Sequence, residues 1–226
     1  MASATDALVA QGKAAESRDG KLPVDGVFSM RWRRSPCWLG VPRLEIHTWE
    51  LALHLLFVCT GNICRSPTAE RLADTFAAGL GIPDFKTSSA GTRAVINHPI
   101  HTDAAVVLEK LGGSAADFSA RQLTPRIASD ADLVLTMTRA HRNAVLERAP
   151  RQLHRTFTLL EAAHLVAQFD PQNLADLAAL RGHVPAREVL DISDPIGQQS
   201  QVFVAVGSQI ADLLPPVLEL CRRSSV

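Results

Sequence analysis

The sequence predicts an α/β fold with three layers, in which a four-stranded parallel sheet lies between helices on both faces. Short runs rich in strand-forming apolar residues alternate along the chain with stretches whose apolar residues recur at helical spacing. This alternation is typical of a parallel sheet whose strands are joined by crossover helices. The predicted strands are His54–Val58, Phe85–Ser89, Ala131–Met137 and Thr156–Leu159.

Amphipathic stretches after these strands predict the helices. The first helix has Ser66 as its predicted N-cap and Pro67 at the first helical position, and Gly81 ends it. The other predicted helices span Thr102–Leu111, Ala140–Glu147, Glu161–Gln168 and Pro171–Leu180, and a last one starts near Gln199. We expect Pro215 and Pro216 to kink or divide that last helix, because proline removes a backbone donor.

The first 50 residues differ in character from the rest of the chain. Residues 1–20 are small and polar without periodicity, so we predict a disordered extension at 1–50 and one domain at 51–226. The basic and aromatic run Met30–Arg34 suggests a nucleic-acid or membrane patch or a solvated tail, and its shortness favours the tail. Charges interrupt the apolar stretches before Trp49, so no signal peptide is expected.

Composition excludes several classes of protein. The chain has 23 basic and 23 acidic residues and no net formal charge, which argues against nucleic acid or an anionic membrane as the main partner. The longest apolar stretch, Leu51–Cys59, is too short to span a bilayer. The four cysteines, Cys37, Cys59, Cys64 and Cys221, fit neither a zinc site nor a disulfide scaffold. We therefore expect no metal and no cofactor.

The segment between the first strand and the first helix carries the chemistry. It reads Cys-Thr-Gly-Asn-Ile-Cys-Arg-Ser from Cys59 to Ser66. A tight loop that leads from a strand into a helix N-terminus forms a cup of backbone N–H groups, which binds anions and favours a thiolate. Arg65, on the rim, can clamp two phosphate oxygens with its planar fork. A nucleophilic cysteine that faces a phosphoryl group indicates phosphatase chemistry.

From about residue 52 onward the chain resembles the low-molecular-weight protein tyrosine phosphatase family. The resemblance rests on five segments: Val58–Pro67, Ser88–Thr92, Ser119–Leu123, Ala131–Met137 and Asp194–Pro195. It implies the strand order 2-1-3-4. It also implies that Cys59 is the nucleophile, that Thr60, Gly61, Asn62, Ile63, Cys64 and Arg65 donate amides to the phosphate, and that Ser66 supports the thiolate. Asn62 is expected to hold the loop in a strained backbone shape.

The reaction also needs an acid for the leaving group, and two Asp-Pro pairs compete for that role. Asp170-Pro171 precedes a helix-like stretch, where it predicts an N-cap and a first helical residue. Asp194-Pro195 lies in a glycine-containing segment without periodicity, which allows a shaped active-site loop. This contrast favours Asp194, and the resemblance selects the same residue.

Cys64 has two interpretations. It is either a small buried packing residue or, as the resemblance implies, a resolving thiol that forms a disulfide with an oxidised Cys59. A thiolate nucleophile needs a reducing compartment, so we expect a cytoplasmic protein.

The substrate is expected to be phosphotyrosine in proteins, with a bacterial tyrosine kinase as one candidate partner and a monomer as the oligomeric state. The chain has no tyrosine, and its segment Ala94–Ile100 and the pair Ile196-Gly197 lack the aromatic residues that tyrosine-specific members present at the pocket mouth. Phe118 stands where the family often has a histidine that supports the loop. These departures leave two alternatives open, a protein arginine phosphatase of the same fold and a weakly active phosphate-binding module. Ile63 favours phosphotyrosine, since the arginine-specific branch prefers threonine there.

Overall fold

Residues 52–183 and 191–225 are described in the computed structural model of the chain. The predicted extension at residues 1–50, including the run Met30–Arg34, lies outside the described residues.

Four parallel strands form a single sheet in the order β2-β1-β3-β4, which confirms the predicted fold class and strand order. The strands are β1 (Leu53–Cys59), β2 (Phe85–Gly91), β3 (Leu133–Thr136) and β4 (Thr156–Thr158). β1 lies between β2 and β3, so the loop that follows Cys59 emerges near the middle of the sheet. Ligands of open parallel sheets bind beyond the carboxyl ends of the strands, which is where this loop lies.

Seven α-helices are described. They are α1 (Arg65–Leu80), α2 (Thr102–Lys110), α3 (Pro125–Ser129), α4 (Arg139–Arg148), α5 (Leu159–Phe169), α6 (Leu174–Ala179) and α7 (Ser200–Ser224). Short 3-10 turns at Pro150–Arg155 and Leu180–His183 join α4 to β4 and extend α6. The helix α3 was not predicted from the sequence, because five residues are too few to show a helical period.

The alternation of side chains along β1 builds the core on both faces of the sheet. Leu55, Phe57 and Cys59 belong to a large apolar cluster with residues of α1, α2, α5, α6 and α7. Leu56 and Val58 belong to a smaller cluster with residues of α3 and α4. Because successive strand residues point to opposite faces, a central strand with helices on both sides buries side chains on both faces. This explains the continuous apolar run Leu55–Cys59 within β1.

The predicted start of α1 was wrong by two residues. The helix begins at Arg65 with Cys64 at the N-cap position, and Pro67 is its third residue. Proline is tolerated there because the N–H groups of a first helical turn have no partner within the helix. The hydroxyl of Ser66 is not a cap, since it lies against the Cys59 thiol and accepts a hydrogen bond from the side-chain amide of Asn62. The predicted end was correct: Gly81 has a left-handed φ of 62° and closes the helix.

The predicted role of Asp170 as an N-cap was also wrong. Asp170 ends α5 in a left-handed conformation with φ 45°, and Asn173 caps α6 by accepting hydrogen bonds from the amides of Ala175 and Asp176. The Asp170 carboxylate instead forms an exposed ion pair with Arg223, at 2.6 Å, near the end of α7. The helix-like sequence after Pro171 starts later than predicted because Asn173 offers the better-placed cap.

The long helix α7 was expected to be kinked or divided at Pro215-Pro216; it is not divided, and its helical structure continues through both prolines. Its buried residues lie on both sides of the pair, with Ile210 and Leu214 before it and Val217, Leu218 and Cys221 after it. Their burial against the sheet and neighbouring helices outweighs the backbone hydrogen bonds that the prolines remove.

The same helix corrects the expectation that no apolar stretch reaches the length of a bilayer span. Among the described residues, α7 alone matches a span by length and composition: it has 25 residues, and an 18-residue window within it has a mean hydropathy of 1.3. Nine of its residues are buried in this domain, and most of them belong to the large cluster. This is the burial pattern of a core helix.

Truncation of a buried side chain in α7 should destabilise the domain. We expect Leu214→Ala to lower the free energy of unfolding by about 2–5 kcal/mol, because it removes a fully buried side chain and leaves a cavity. The matched control is Val204→Ala in the same helix, whose side chain is half exposed and should cost less than about 0.5 kcal/mol. Urea unfolding of both variants measures the difference, and equal losses would contradict the position of α7 in the core.

Candidate active site

The loop from Cys59 to Arg65 turns its peptide carbonyls away from the Cys59 thiol. Four of its carbonyl oxygens accept hydrogen bonds of 2.7–3.0 Å from amides of the segment 92–101; they belong to Cys59, Thr60, Gly61 and Ile63. In a trans peptide the next N–H points opposite to the carbonyl, so the following amides turn to the other side. The amide of Asn62 donates to the Cys59 sulfur at 3.3 Å, which shows that this other side is the thiol side. The loop therefore forms the predicted cup of amides around the sulfur.

Asn62 holds the shape of this loop. Its backbone has a left-handed φ of 56°, which few residues other than glycine and asparagine adopt. The side chain is fully buried and makes three hydrogen bonds: Nδ2 donates to Ser66 at 3.0 Å and to Ser89 at 2.7 Å, and Oδ1 accepts from the Arg121 amide at 2.8 Å. The side chain thus fixes a backbone conformation that would otherwise be unfavourable.

A second group of polar residues supports Asn62 and was not identified from the sequence. Ser89, at the end of β2, donates to the carboxyl group of Glu70, and Arg121 donates from Nε to the Ser89 carbonyl at 2.7 Å. Burial raises the pKa of Glu70 above its usual range. Phe118 lies under the guanidinium of Arg71. The side chain of Asn62 is therefore supported through Ser89 and Glu70.

Glycine is required at position 91, where the loop passes closest to the sheet. A Cβ at Gly91 would lie 2.6 Å from the Thr60 carbonyl oxygen and 2.9 Å from the Ala94 Cα, both of which are backbone atoms. This close approach lets the segment after β2 bind the loop carbonyls.

Cys59 and Ser66 lie together at the floor of the cup. Their Sγ and Oγ atoms are 3.0 Å apart, and both residues are almost completely buried. Ser66 stands at the first turn of α1, whose N-terminus carries a partial positive charge. A hydroxyl group, an amide donor and a helix N-terminus thus surround one sulfur.

Arg65 joins this loop to the segment that carries Asp194. One terminal nitrogen donates to the Ile192 carbonyl at 3.0 Å and the other pairs with the Asp194 carboxylate. The side chain is only 3% exposed. Its Nε is buried and has no hydrogen-bond partner in residues 52–183 and 191–225. A buried guanidinium N–H without a partner is costly, and an anion in the cup would satisfy it.

The segment 191–197 is anchored so that Asp194 faces the loop. The Ile192 amide donates to the Met137 carbonyl at 2.9 Å, and the Asp191 carboxylate accepts from the Arg139 amide at 2.8 Å. The Asp194 carboxylate also accepts from the Ile196 amide at 3.2 Å, and its side chain is about half exposed. Of the two Asp-Pro pairs, only Asp194-Pro195 lies beside Arg65; Asp170 is held by Arg223 at the ends of α5 and α7.

A pocket of about 390 Å³ lies between the loop and this segment. It is open at the surface, and the paired side chains of Arg65 and Asp194 both line it. Its walls are formed by Thr60, Arg65, Thr138, His141, Asp191, Ile192, Ser193 and Asp194. Within the described ranges, no group of three His, Cys, Asp or Glu side chains lies close enough together to hold a metal ion.

His141 and Thr138 line this pocket and were not predicted as site residues. His141 Nε2 is 2.8 Å from the Thr60 hydroxyl, and Nδ1 is 2.9 Å from the Thr138 hydroxyl. Burial, and next the charge of Arg65, lower the pKa of His141 to about 4. The only signal in the sequence was the position of this histidine just after the third strand, at the same sheet edge as the loop.

Cys64 faces away from the pocket. It is 5% exposed and borders a small apolar cavity with Thr68, Val107 and Phe203 between α1, α2 and α7. Burial, and next the neighbouring Cys59, raise the pKa of the Cys64 thiol to about 12, so it is neutral at physiological pH. These surroundings fit the packing role, and the resolving role stays a proposal.

Apolar side chains surround the mouth of the cup. A Cβ at Gly61 would lie 3.4 Å from Ile63 and 3.5 Å from Val95, so these two side chains border the loop together. Val95, Ile96 and Ile196 are each more than a third exposed. An aliphatic rim takes the place of the aromatic residues that tyrosine-specific members carry.

The free energy of unfolding should fall as the pH is lowered from 7 towards 5. The folded-state pKa of His141 is about 4, and burial also lowers the pKa of His54, while the ordinary value of both is 6.5. Below about pH 6.5 the unfolded chain therefore binds more protons than the folded one, which favours unfolding. Urea unfolding at pH 7, 6 and 5 checks this, and His141→Phe should reduce the slope. An unchanged slope in that variant would contradict the depressed pKa.

Comparison with known proteins places this arrangement in a family. Residues 54–168, half of the chain, match the family described as low molecular weight phosphotyrosine protein phosphatase. A probable low molecular weight protein-tyrosine-phosphatase, AmsI of Erwinia amylovora, is 38% identical over 96 residues, which cover 42% of this chain and 63% of that protein. Etp of Escherichia coli K12 is 40% identical over 96 residues, which cover 42% and 62%. These matches thus span less than two thirds of either relative.

Solved structures match over a longer stretch. The low molecular weight protein tyrosine phosphatase from T. tengcongensis is 28% identical with a TM-score of 0.61, and the alignment covers 74% of this chain and 98% of that one. The YwlE arginine phosphatase from Geobacillus stearothermophilus is also 28% identical, with a TM-score of 0.58 and coverage of 74% and 91%. The family match and the sheet with its loop after β1 agree: this chain belongs to the low molecular weight phosphotyrosine protein phosphatase family.

Proposed function

We propose that this chain is a cysteine-dependent phosphatase that hydrolyses phosphotyrosine in proteins through a phosphocysteine intermediate. The observation that carries the proposal is the cup itself: the Cys59 sulfur lies within hydrogen-bond distance of the Asn62 amide and the Ser66 hydroxyl, beside a buried arginine with an unsatisfied Nε. A nucleophilic sulfur and a planar cation on the same short loop match a phosphoryl group, which is an electrophile that carries negative oxygens.

Phosphate binding relies on the loop amides and on Arg65. The amides of Thr60, Gly61, Asn62, Ile63, Cys64 and Arg65 are the proposed donors to the equatorial oxygens. Arg65 Nε supplies a further N–H, while one terminal nitrogen stays on the Ile192 carbonyl. Catalysis of phosphoryl transfer depends mainly on such positioning and charge stabilisation, because the transition state is loose and highly charged.

In the first step the Cys59 thiolate attacks phosphorus and the bond from phosphorus to the tyrosyl oxygen breaks. The Asp194 carboxyl group gives its proton to the departing oxygen, so tyrosine leaves as a neutral phenol. The position of Asp194 beside Arg65, on an anchored segment, supports this assignment. Ser66 stabilises the sulfur as an anion before attack and again when it leaves.

In the second step the Asp194 carboxylate accepts a proton from water, and the water oxygen attacks the phosphocysteine. The bond between sulfur and phosphorus breaks, the thiolate returns and inorganic phosphate is released. One carboxyl group thus serves as acid and then as base, and no metal takes part in either step.

A second candidate function is that of a protein arginine phosphatase. It is favoured by the aliphatic rim of Val95, Ile96 and Ile196, which offers no aromatic ring for stacking on a phosphotyrosyl group. The sequence identity to YwlE, described as an arginine phosphatase, is 28%, the same as that to the tyrosine phosphatase from T. tengcongensis, and the TM-scores are 0.58 and 0.61. Ile63 on the same rim favours phosphotyrosine. Turnover of matched phosphotyrosine and phosphoarginine peptides decides between the two.

The remaining assignments belong to the same proposal. A cytoplasmic location fits an enzyme that depends on a reduced thiol. A phosphotyrosine protein as substrate is supported by the names of relatives such as Etp, a protein-tyrosine-phosphatase of Escherichia coli, and a bacterial tyrosine kinase is our candidate for that protein. The proposed functional unit is a monomer made of residues 51–226, and residues 1–50 are a separate extension.

Replacement of the nucleophile should abolish turnover and leave phosphate binding intact. Cys59→Ser should lower the hydrolysis of para-nitrophenyl phosphate, measured in a chelator, by at least about three orders of magnitude, because an alcohol is a far poorer nucleophile. Titration with inorganic phosphate should still show binding, since the amides and Arg65 remain. Appreciable activity in this variant would reject Cys59 as the nucleophile.

Arg65→Lys serves as the companion variant, because lysine keeps the charge but lacks the planar fork. It should lose both turnover and phosphate binding. The matched control is Arg126→Lys on α3, whose side chain is 91% exposed and which should behave like the parent protein.

Replacement of the acid should give a loss that depends on the leaving group. Asp194→Asn should slow hydrolysis of phenyl phosphate by about a hundredfold or more, and hydrolysis of para-nitrophenyl phosphate by less, because a good leaving anion needs little protonation. Asp170→Asn is the matched control. Asparagine tolerates the left-handed conformation there, and the exposed ion pair contributes little, so its turnover should equal that of the parent. A leaving-group-dependent loss in Asp170→Asn alone would reverse the assignment.

A further inference from the structure

His141 is the buried polar side chain in the pocket walls to which the proposed mechanism gives no role. It is 7% exposed and lies at the start of α4, with one ring nitrogen on each of two threonine hydroxyls. One of them, Thr60, follows the proposed nucleophile directly and lines the same pocket as Asp194. The other, Thr138, is the N-cap of α4.

The hydrogen bonds of Thr138 favour one of the two neutral tautomers of the ring. Its oxygen accepts a hydrogen bond from the His141 amide at 3.2 Å. Its own proton can be donated, and among the described residues the acceptor recorded within reach is His141 Nδ1 at 2.9 Å. We therefore infer that Nδ1 accepts. A neutral imidazole carries its single proton on the other nitrogen, so Nε2 is then the donor.

The same argument fixes the orientation of the Thr60 hydroxyl. Nε2–H donates to the Thr60 oxygen at 2.8 Å, and the Thr60 hydroxyl proton is then directed away from the ring. Thr60 lines the pocket between the loop and the Asp194 segment, so this proton is available to an oxygen bound there. The low pKa of the ring keeps this arrangement constant across physiological pH, because a charged ring would have to donate from both nitrogens.

We propose that His141 is a positioning residue that acts through Thr60: it fixes the Thr60 hydroxyl as a donor toward the oxygens that enter and leave at phosphorus. This inference rests on the proposed phosphatase function. The loop amides serve the equatorial oxygens, and Thr60 adds a side-chain donor on the side of the pocket where Asp194 exchanges its proton. The role needs the ring to stay neutral, so His141 is not itself a general acid or base.

The tautomer of His141 tests the inference without any measurement of activity. In the parent protein, long-range ¹H–¹⁵N correlation of the imidazole rings at pH 7, assigned by comparison with His141→Phe, should show His141 protonated at Nε2. It should show no protonation step above about pH 5. A ring protonated at Nδ1, or one that titrates near pH 6.5, would overturn the proposal whether or not the protein is a phosphatase.

A double-mutant cycle then tests the effect on the reaction, once Cys59→Ser has established that the activity belongs to this site. Thr60→Val keeps the shape and removes the hydroxyl, and should lower kcat by about tenfold or more with a smaller change in KM. His141→Phe should lower kcat similarly, and the double variant should be no worse than Thr60→Val alone. His141→Gln, which retains a donor, should recover part of the loss.

Additive losses in the double variant, or equal activity of parent and Thr60→Val, would overturn the role of His141. Urea unfolding of each variant separates loss of folded protein from loss of kcat. The control His154→Phe replaces an exposed histidine outside the pocket and should leave both kinetic constants unchanged.

Discussion

The site depends on the three hydrogen bonds of the buried Asn62 side chain. They stabilise a left-handed residue in the middle of the loop and so allow its carbonyls to face the segment after β2. The amides on the opposite side of these peptides are then directed at the Cys59 sulfur. In each trans peptide the C=O and the N–H point in opposite directions. The hydrogen bonds that the carbonyls accept on the outside therefore also direct the N–H groups into the cup.

The parallel sheet provides the frame in which this loop can be held. β1 is central and apolar on both faces, so its carboxyl end is fixed by core packing on two sides. Its neighbours deliver the supporting groups at the same edge: Ser89 at the end of β2, and Thr138 and His141 after β3. Polar groups that no single segment could organise thus meet around one sulfur, which is the usual advantage of the carboxyl edge of such a sheet.

Electrostatics unite the loop and the acid-bearing segment. Arg65 is buried, which is costly for a cation, and it is compensated by the Ile192 carbonyl and the Asp194 carboxylate. The positive charge of Arg65 also lowers the pKa of His141 and so helps to keep its ring neutral. Arg65 and the neutral ring of His141 therefore line the same pocket. Within the part of the chain that the structure describes, the Nε of Arg65 has no hydrogen-bond partner. Arg65 is thus both a structural link between the two segments and the proposed phosphate ligand.

The sequence by itself determined the order of the strands and of the helices other than α3, the glycine that ends α1 and the loop motif from Cys59 to Ser66. These features are local: strand runs, helical periods and turn residues act over a few positions, so they can be recognised in the sequence alone. Only the tertiary structure decided the rest. Ser66 contacts the Cys59 thiol and does not cap α1. Asp170 ends α5 and does not begin α6. Pro215 and Pro216 lie within an undivided α7. Glu70, Ser89 and His141 belong to the site through contacts across 19 to 81 positions, and no local pattern in the sequence records such contacts.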